Sequence, residues 1–290
     1  MHFFFCPLEK FWWRLRKLKI FYSDMVNVFL TITYYCYYNV FSINRNQNQT
    51  KTKVKQSQDF IMALSRQLFS AWCDSRGLDI KSHQLDGFEW VMNRETGQGQ
   101  GQEFFGTPGG FICDEMGLGK TILMIGAIVL NAKQHTLVVL PKCLLDQWLN
   151  AIVKFTALEE NDVLVYHGAA GRTKTVEEIA EYRVVITTYG MIATRKPTVK
   201  CPNYTSKLWN QQWDRIIYDE SHHLRNAQTG LFRGASRLLA PIKWMVTGTP
   251  INNRREDFYA QMTLQGSAAN LSARLSTIRN VVNAIVLRRT

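Results

Sequence analysis

The stretch that decides the fold is F-I-C-D-E-M-G-L-G-K-T-I-L-M-I, residues 111–125. A short apolar strand runs into a glycine-containing turn, and an apolar helix follows, which is the context that a phosphate-binding loop requires. Gly117 and Gly119 would let backbone N–H groups wrap a β-phosphate at the positive end of the helix dipole. We expect this loop to bind ATP, with Lys120 bridging the β- and γ-phosphates and Thr121 supplying a hydroxyl to Mg²⁺.

One position departs from the general phosphate-loop pattern G-x-x-x-x-G-K-[ST]. The pattern has glycine where this chain has Asp114, so a bare pattern search would miss the loop. The bland alternative is a helix N-terminus that happens to contain G-K-T. A second nucleotide motif downstream disfavours that alternative.

The second motif is R-I-I-Y-D-E-S-H, residues 215–222, an apolar strand that ends in two adjacent carboxylates. Neighbouring side chains of a strand point to opposite sides, so Asp219 and Glu220 can take separate roles. We expect Asp219 to hold the Mg²⁺ shell and Glu220 to orient and deprotonate the attacking water. Alone, this pattern is common at strand ends, but after a phosphate loop it is much more specific.

The residues around these motifs have the texture of an α/β domain. β-branched runs with little alternation predict buried parallel strands at 111–113, 136–140, 163–166, 184–187, 215–218 and 244–246. Helices are predicted between them at 122–132, 144–155, 176–181 and 230–239. This alternation of strands and helices predicts a doubly wound, mostly parallel sheet, with ligands at the carboxyl ends of the strands. The Gly-rich loop 96–110 lacks phosphate-loop spacing and is interpreted as a flexible connection.

The first 57 residues differ from the rest. They carry nine Lys or Arg against Glu9 and Asp24, which is +7 of the total charge of +12. The aromatic segment 1–43 could be a short signal anchor, a secretory signal or a leader without a stable fold, and we favour the last. Residues 44–58 resemble a polar linker. We therefore expect a non-globular segment at 1–57 and one domain at 58–290, and we expect no membrane association.

The six cysteines are spread along the chain without a C-x-x-C pair. This spacing indicates neither a zinc site nor a disulfide framework, and a reducing compartment is the default. His222 and His223 have no Cys or His partner at ligand spacing. A hydrogen-bonding or sensor role is therefore favoured over zinc.

Taken together, D-E-M-G-L-G-K-T and D-E-S-H resemble motifs I and II of superfamily-two helicases, specifically Swi/Snf-type chromatin-remodelling and DNA-repair ATPases. Other segments match in the family's order: S-H-Q-L-D-G-F-E-W-V-M at 82–92, T-L-V-V-L-P-K-C-L-L-D-Q-W at 136–148 (motif Ia), V-V-I-T-T-Y at 184–189 (motif Ib) and W-M-V-T-G-T-P-I-N-N at 244–253 (motif III). The resemblance covers roughly residues 80–290 and implies the first, RecA-like lobe of a phosphate-loop NTPase.

The resemblance also assigns residues to roles. It implies nucleotide contacts from Gln84 at the adenine, from the loop residues Asp114, Glu115, Met116, Gly117, Leu118, Gly119, Lys120 and Thr121, and from His222. It implies that motif III, with Thr247, Gly248 and Thr249, couples the state of the γ-phosphate to the grip on DNA. Sequence-independent contacts to phosphates of double-stranded DNA are expected from Pro141, Lys142, Thr188 and Tyr189, which follow predicted strands.

The family continues into a second lobe whose motifs IV to VI reach across the cleft to the γ-phosphate. No segment of this sequence resembles those motifs, so we expect only the first lobe here and a partner lobe in cis or in trans. The resemblance places Arg288 and Arg289 at the exit of the first lobe, facing away from the nucleotide. It also implies chromatin or other DNA-bound protein as a partner, and a nuclear location.

Three functions compete at this point. The first is the ATP-binding lobe of a DNA-dependent ATPase or translocase. The second is a non-catalytic nucleotide- or DNA-binding module, or a truncated gene fragment, that regulates a partner. The third, an unrelated phosphate-loop kinase or GTPase, ranks low because it has no place for motifs Ia and III. Intact Lys120, Asp219 and Glu220 favour the first.

Overall fold

The computed structural model describes residues 64–96, 108–195, 205–251, 255–266 and 281–289. The chain divides after Ile61 into two units, and every described residue belongs to the second. The expected leader and linker at 1–57, and residues 97–107 of the Gly-rich loop, lie outside the described residues.

The described strands form one seven-stranded sheet in which every pairing is parallel. The spatial order is β3-β4-β2-β5-β6-β1-β7. The strands are β1 (Gly109–Ile112), β2 (Thr136–Leu140), β3 (Val163–Tyr166), β4 (Val184–Thr188), β5 (Arg215–Asp219), β6 (Ile242–Val246) and β7 (Val286–Leu287). The predicted parallel sheet is confirmed, and β7, which is too short to show in the sequence, was not predicted.

The sheet is apolar on both faces because alternate strand residues enter two separate cores. In β5, Ile216 and Tyr218 pack in one core and Ile217 packs in the other. The strands β2, β4 and β5 are fully buried along their length. This two-sided burial explains why the strand sequences are continuous apolar runs rather than alternating ones.

Helices cover both faces. They are α1 (64–75 in the described part), α2 (Ser82–Thr96), α3 (Lys120–Leu130), α4 (Leu145–Phe155), α5 (Gly168–Thr173), α6 (Val176–Ile179), α7 (Tyr189–Ile192), α8 (Gly230–Ala235) and α9 (Arg255–Gln265), with a further helical stretch at 281–285. The first four contribute to the core that contains Trp148 and Trp244. The result is the three-layer, doubly wound architecture expected from the sequence.

Helix ends differ from the predictions by a few residues. The helix predicted at 230–239 ends at Ala235, and it begins where the Thr229 hydroxyl accepts a bond from the Phe232 N–H. Its backbone approaches Ile192 so closely that a Cβ at Gly234 would overlap the Ile192 carbonyl oxygen. None of the helices described by the structure is long and apolar enough to cross a membrane.

Candidate nucleotide-binding site

Three sequence motifs meet at the carboxyl edge of the sheet. The strand register places Ile112, Val246 and Asp219 side by side at the ends of β1, β6 and β5. The loop after each strand therefore starts at the same level. Phosphate loop, paired carboxylates and motif III are brought together by this register alone, as expected for a ligand site of a parallel sheet.

The phosphate loop depends on two glycines. Gly117 and Gly119 have φ angles of 87° and 84°, a backbone region that is costly for residues with a Cβ. A Cβ on Gly119 would also overlap the Gln84 amide. Gly119 is the residue before helix α3, whose first-turn N–H groups face the loop. The backbone thus forms the turn that can surround a phosphate group.

Lys120 lies inside this turn. Its ammonium donates to the backbone oxygens of Asp114 and Glu115, at 2.9 and 3.0 Å. Gly248 of motif III packs beside it, because a Cβ there would sit 3.8 Å from Lys120 Nζ and 3.5 Å from the Asp114 oxygen. The structure therefore places the side chain of the predicted phosphate-binding lysine between the backbone at Asp114 and Glu115 and Gly248 of motif III.

Asp219 ends β5 with a buried carboxylate. One oxygen accepts from the Trp148 indole N–H at 2.6 Å, and the other accepts from the Glu220 N–H at 3.1 Å. Burial raises the pKa of this carboxyl above its ordinary value, while the Trp148 bond and the charge of Lys120 oppose the shift. Among the described residues no Lys or Arg forms an ion pair with Asp219, so no cationic side chain in this part of the chain contacts its carboxylate directly.

Glu220 turns away from Asp219 through a strained backbone. Its φ is 51°, and it is the one non-glycine residue with positive φ in the described part of the chain. Strain of this kind costs about 1–3 kcal/mol and often marks functional sites. The turn brings Glu220 to motif II's own histidine and to motif III: His222 Nδ1 lies 3.1 Å from both Glu220 Oε2 and Thr247 Oγ1.

Thr247 completes that cluster. Its hydroxyl lies 3.4 Å from Glu220 Oε2, and it accepts a bond from the Thr249 N–H at 3.2 Å. Of the three motif III residues expected to act in coupling, Thr247 contacts the second carboxylate, Gly248 lies against the phosphate loop, and Thr249 is bonded to Thr247. These contacts are the physical requirement for coupling, whereas their role in DNA grip remains a prediction.

The remaining nucleotide candidates line the loop. Gln84, on α2, donates to the Leu118 oxygen at 3.4 Å and accepts from the Lys81 N–H at 3.0 Å. Met116 is highly exposed at the tip. Thr121 follows Lys120 in the first turn of α3. All lie where a nucleotide held by the loop would pass, and their individual contacts remain predictions.

Arg289 makes a contact that the sequence did not predict. Its guanidinium pairs with the buried carboxylate of Asp114 and donates to the His83 oxygen, and its own N–H donates to Asp114 at 2.9 Å. Arg289 is thus engaged with a residue of the phosphate loop, whereas Arg288 is exposed, and the expectation that both face away from the nucleotide stays a prediction. Asp114, which replaces the usual glycine, thus anchors the loop to the strand β7 segment.

The expected DNA contacts divide into two groups. Lys142 is exposed and Pro141 is half-buried in the turn after β2. Thr188 and Tyr189 are buried, and the Tyr189 hydroxyl donates to the Asp219 backbone oxygen at 2.7 Å. Because that hydroxyl is bonded inside the lobe, the Tyr189 side chain is not presented at the surface, and DNA contacts of Thr188 and Tyr189 stay a prediction.

Two functional contacts could not be predicted from the sequence. Trp148 is the last residue of motif Ia, and Arg289 is expected from the sequence only at the exit of the lobe. Their partners, Asp219 and Asp114, are 71 and 175 residues away along the chain. A buried tryptophan on an amphipathic helix ordinarily predicts core packing, so nothing local indicated that its N–H would meet a carboxylate.

The donor set suits magnesium with a nucleotide. No group of three or more His, Cys, Asp or Glu side chains in the described part of the chain is placed to hold a metal ion. Mg²⁺ at nucleotide sites commonly uses one or two protein oxygens together with phosphates and water. A single under-compensated carboxylate beside a glycine cradle and a lysine fits that requirement.

This combination of a parallel sheet, a glycine loop with an inward lysine and paired carboxylates defines a RecA-like lobe of a phosphate-loop ATPase. The SNF2-related domain matches residues 83–266. The chain belongs to this family of helicase-like ATPases. The resemblance seen in the sequence is therefore confirmed.

Relatives show how much of the family this chain represents. An uncharacterised ATP-dependent helicase of Schizosaccharomyces pombe is 27% identical over 73% of this chain and 23% of its own length. The DNA repair protein rad5 of Aspergillus fumigatus is 28% identical over 63% of this chain and 19% of its own. The chain thus spans about a fifth of the length of these relatives.

A solved structure shares the fold. The SWI2/SNF2 ATPase core of Sulfolobus solfataricus, determined in complex with double-stranded DNA, superposes with a TM-score of 0.58 at 22% identity. The match covers 73% of this chain and 44% of that one. At this identity the likeness establishes the fold only.

Proposed function

We propose that this chain is the ATP-binding lobe of a DNA-dependent ATPase that translocates on double-stranded DNA. The observation that carries the proposal is the meeting of Lys120, Asp219, Glu220 and Gly248 at one edge of the sheet. A regulatory module without chemistry would not need an ionisable pair held in a strained turn beside a phosphate loop.

The residues divide the work by position. Lys120 and the loop N–H groups would bind the β- and γ-phosphates, and Gln84 would contact the adenine. Asp219 and the Thr121 hydroxyl would hold Mg²⁺, which when bound neutralises charge on the phosphates. Glu220 would orient the attacking water and accept its proton, since a base at hydrogen-bonding distance is what this step requires.

DNA would lie on the rim that carries Pro141 and Lys142. Lys142 is exposed at the carboxyl edge of β2, where a single cation can bind a backbone phosphate without reading the sequence. The related archaeal core was solved with double-stranded DNA. DNA-repair relatives support a nuclear site of action on chromatin or other DNA-bound protein.

Turnover would require a second lobe. In related phosphate-loop enzymes an arginine that reaches the γ-phosphate contributes roughly 10³ to 10⁵ in rate. Arg289 is engaged with Asp114 in this lobe and does not supply that group. The 290-residue chain alone should therefore bind Mg-ATP weakly and hydrolyse it very slowly.

The test compares ATP hydrolysis by the chain alone, with double-stranded DNA, and with DNA plus a second lobe from a relative, supplied in trans or fused after Thr290. We expect appreciable hydrolysis only in the last case. Nucleotide binding without hydrolysis in every case would instead support a regulatory module. Robust DNA-stimulated hydrolysis by the chain alone would refute the need for a second lobe.

A further inference from the structure

Two buried side chains outside the nucleotide motifs contact the Asp219–Glu220 segment. The Trp148 indole N–H, on α4, donates to Asp219 Oδ2 at 2.6 Å. The Tyr189 hydroxyl, at the start of α7, donates to the Asp219 backbone oxygen at 2.7 Å. Both side chains are 5% exposed or less, so water does not compete for either hydrogen bond.

The Trp148 bond fixes the plane of the carboxylate. Asp219 Oδ1 accepts from the Glu220 N–H and Oδ2 accepts from Trp148, so each oxygen has one protein donor. A carboxylate has about four lone-pair sites. Two bonds orient the group and still leave lone pairs for a cation, whereas an arginine in the same place would have occupied them.

The Tyr189 bond fixes the next peptide. Asp219's carbonyl belongs to the peptide unit that leads into Glu220, whose φ of 51° is strained for a residue with a Cβ. A strained conformation persists only where neighbouring contacts hold it. The buried tyrosine hydroxyl is such a contact, and it acts on the main chain rather than on either carboxylate.

We propose that Trp148 and Tyr189 are positioning residues: Trp148 orients the Asp219 carboxylate for Mg²⁺, and Tyr189 holds the Asp219–Glu220 peptide and with it the main chain from which both carboxylates extend. The inference rests on the proposed function, since it assumes that Mg-ATP binds at this edge. Partners that orient a metal-binding side chain typically change metal affinity by roughly 10- to 100-fold when removed. Both residues belong to the segments Ia and Ib that were expected to serve DNA.

The test measures how much Mg²⁺ strengthens nucleotide binding by the full chain. A fluorescent ATP analogue is titrated in EDTA and in Mg²⁺, and the Mg²⁺ gain is the ratio of the two dissociation constants. We expect Trp148→Phe to lower the gain roughly 10-fold and Tyr189→Phe to lower it roughly 5-fold, with binding in EDTA unchanged. A loss of fold would lower binding in both conditions.

Matched controls exist in the same lobe. Trp213 and Tyr218 are also buried, and their polar groups donate to the backbone oxygens of Leu208 and Ala235 instead. Trp213→Phe and Tyr218→Phe should keep the wild-type gain. In an Asp219→Asn background, Trp148→Phe should change the gain no further, because both changes act on one carboxylate.

The outcomes separate the two claims. A wild-type gain with Trp148→Phe and Tyr189→Phe indistinguishable from their controls would overturn the positioning roles while leaving the proposed function intact. The proposed function would instead be overturned if Mg²⁺ does not change nucleotide binding by the wild-type chain and Lys120→Ala binds the nucleotide with wild-type affinity. If Trp148→Phe does not fold, the Tyr189→Phe comparison with Tyr218→Phe decides.

Discussion

Two buried carboxylates, Glu95 and Asp219, mark different regions of this lobe. Both accept a bond from a buried tryptophan: Glu95 from Trp244 at 2.8 Å and Asp219 from Trp148 at 2.6 Å. Glu95 also pairs with the guanidinium of Arg215, and both side chains of that pair are fully buried. Asp219 has no such partner among the described residues.

The difference separates structure from function. Glu95 receives further bonds from Arg215 and Asn131, so its charge and lone pairs are satisfied by the protein. Asp219 lies at the carboxyl end of β5 next to the phosphate loop, and burial raises the pKa of its carboxyl. A buried charge that the protein leaves uncompensated is costly, and at a nucleotide site a magnesium ion is the natural counterpart.

The largest effect is expected on the rate of ATP hydrolysis, from a change at Glu220, which follows Asp219. Glu220→Gln should leave Mg-ATP binding within about 2-fold and reduce hydrolysis roughly 10²- to 10⁴-fold, because it removes the general base. The rate is measured by phosphate release with DNA and a second lobe present. Hydrolysis at the wild-type rate would show that another group takes the proton.

The largest effect on stability is expected at the other carboxylate. Glu95→Gln leaves the Arg215 guanidinium buried without its counter-charge, and breaking a buried pair in this way costs roughly 3–5 kcal/mol. Urea denaturation should report this loss in the free energy of unfolding. An unchanged unfolding midpoint would show that Glu95 and Arg215 are not paired as described.

Asp219→Asn should have the opposite signature. It removes an uncompensated buried charge and keeps an oxygen for Trp148, so the free energy of unfolding should stay within about 1 kcal/mol of wild type or exceed it. The Mg²⁺ gain in ATP binding should disappear. A loss of stability as large as that of Glu95→Gln would erase the distinction between the two regions.

The smallest effect concerns residues 1–57, whose charge and residue pattern differ from those of the domain. Deleting them should shift the thermal transition of the domain by less than about 2 °C, which corresponds to under about 1 kcal/mol for a domain of this size. Differential scanning fluorimetry of chains 1–290 and 58–290 makes the comparison. A large downward shift would show that the leader packs on the domain.

The sequence predicted the sheet well because each strand is a local signal. The runs 136–140 and 163–166 coincide with β2 and β3 at both ends. The order of motifs then predicted which loops share an edge, since parallel strands all deliver their carboxyl ends there. Lys120, Asp219 and Glu220 could therefore be placed together without coordinates.

The same reasoning failed where side chains meet across the chain. Tyr189 was expected on the DNA rim because it follows β4, but its hydroxyl turns inward to Asp219. The pairing of Asp114 with Arg289 joins residues 175 positions apart. No periodicity or motif spacing in the sequence predicts either contact, so only the folded structure reveals them.

The central claim is that the loop around Lys120 binds the phosphates of ATP, and the most direct measurement is Mg-ATP affinity in Lys120→Ala. Lys120 lies inside the loop with its ammonium on two backbone oxygens, so the change removes a charge at the phosphates without disturbing a core residue. Titration of a fluorescent ATP analogue should show affinity at least roughly 10-fold weaker than wild type, as for a lost charge-assisted bond. Equal affinity in the two proteins would contradict the assignment of the phosphate loop.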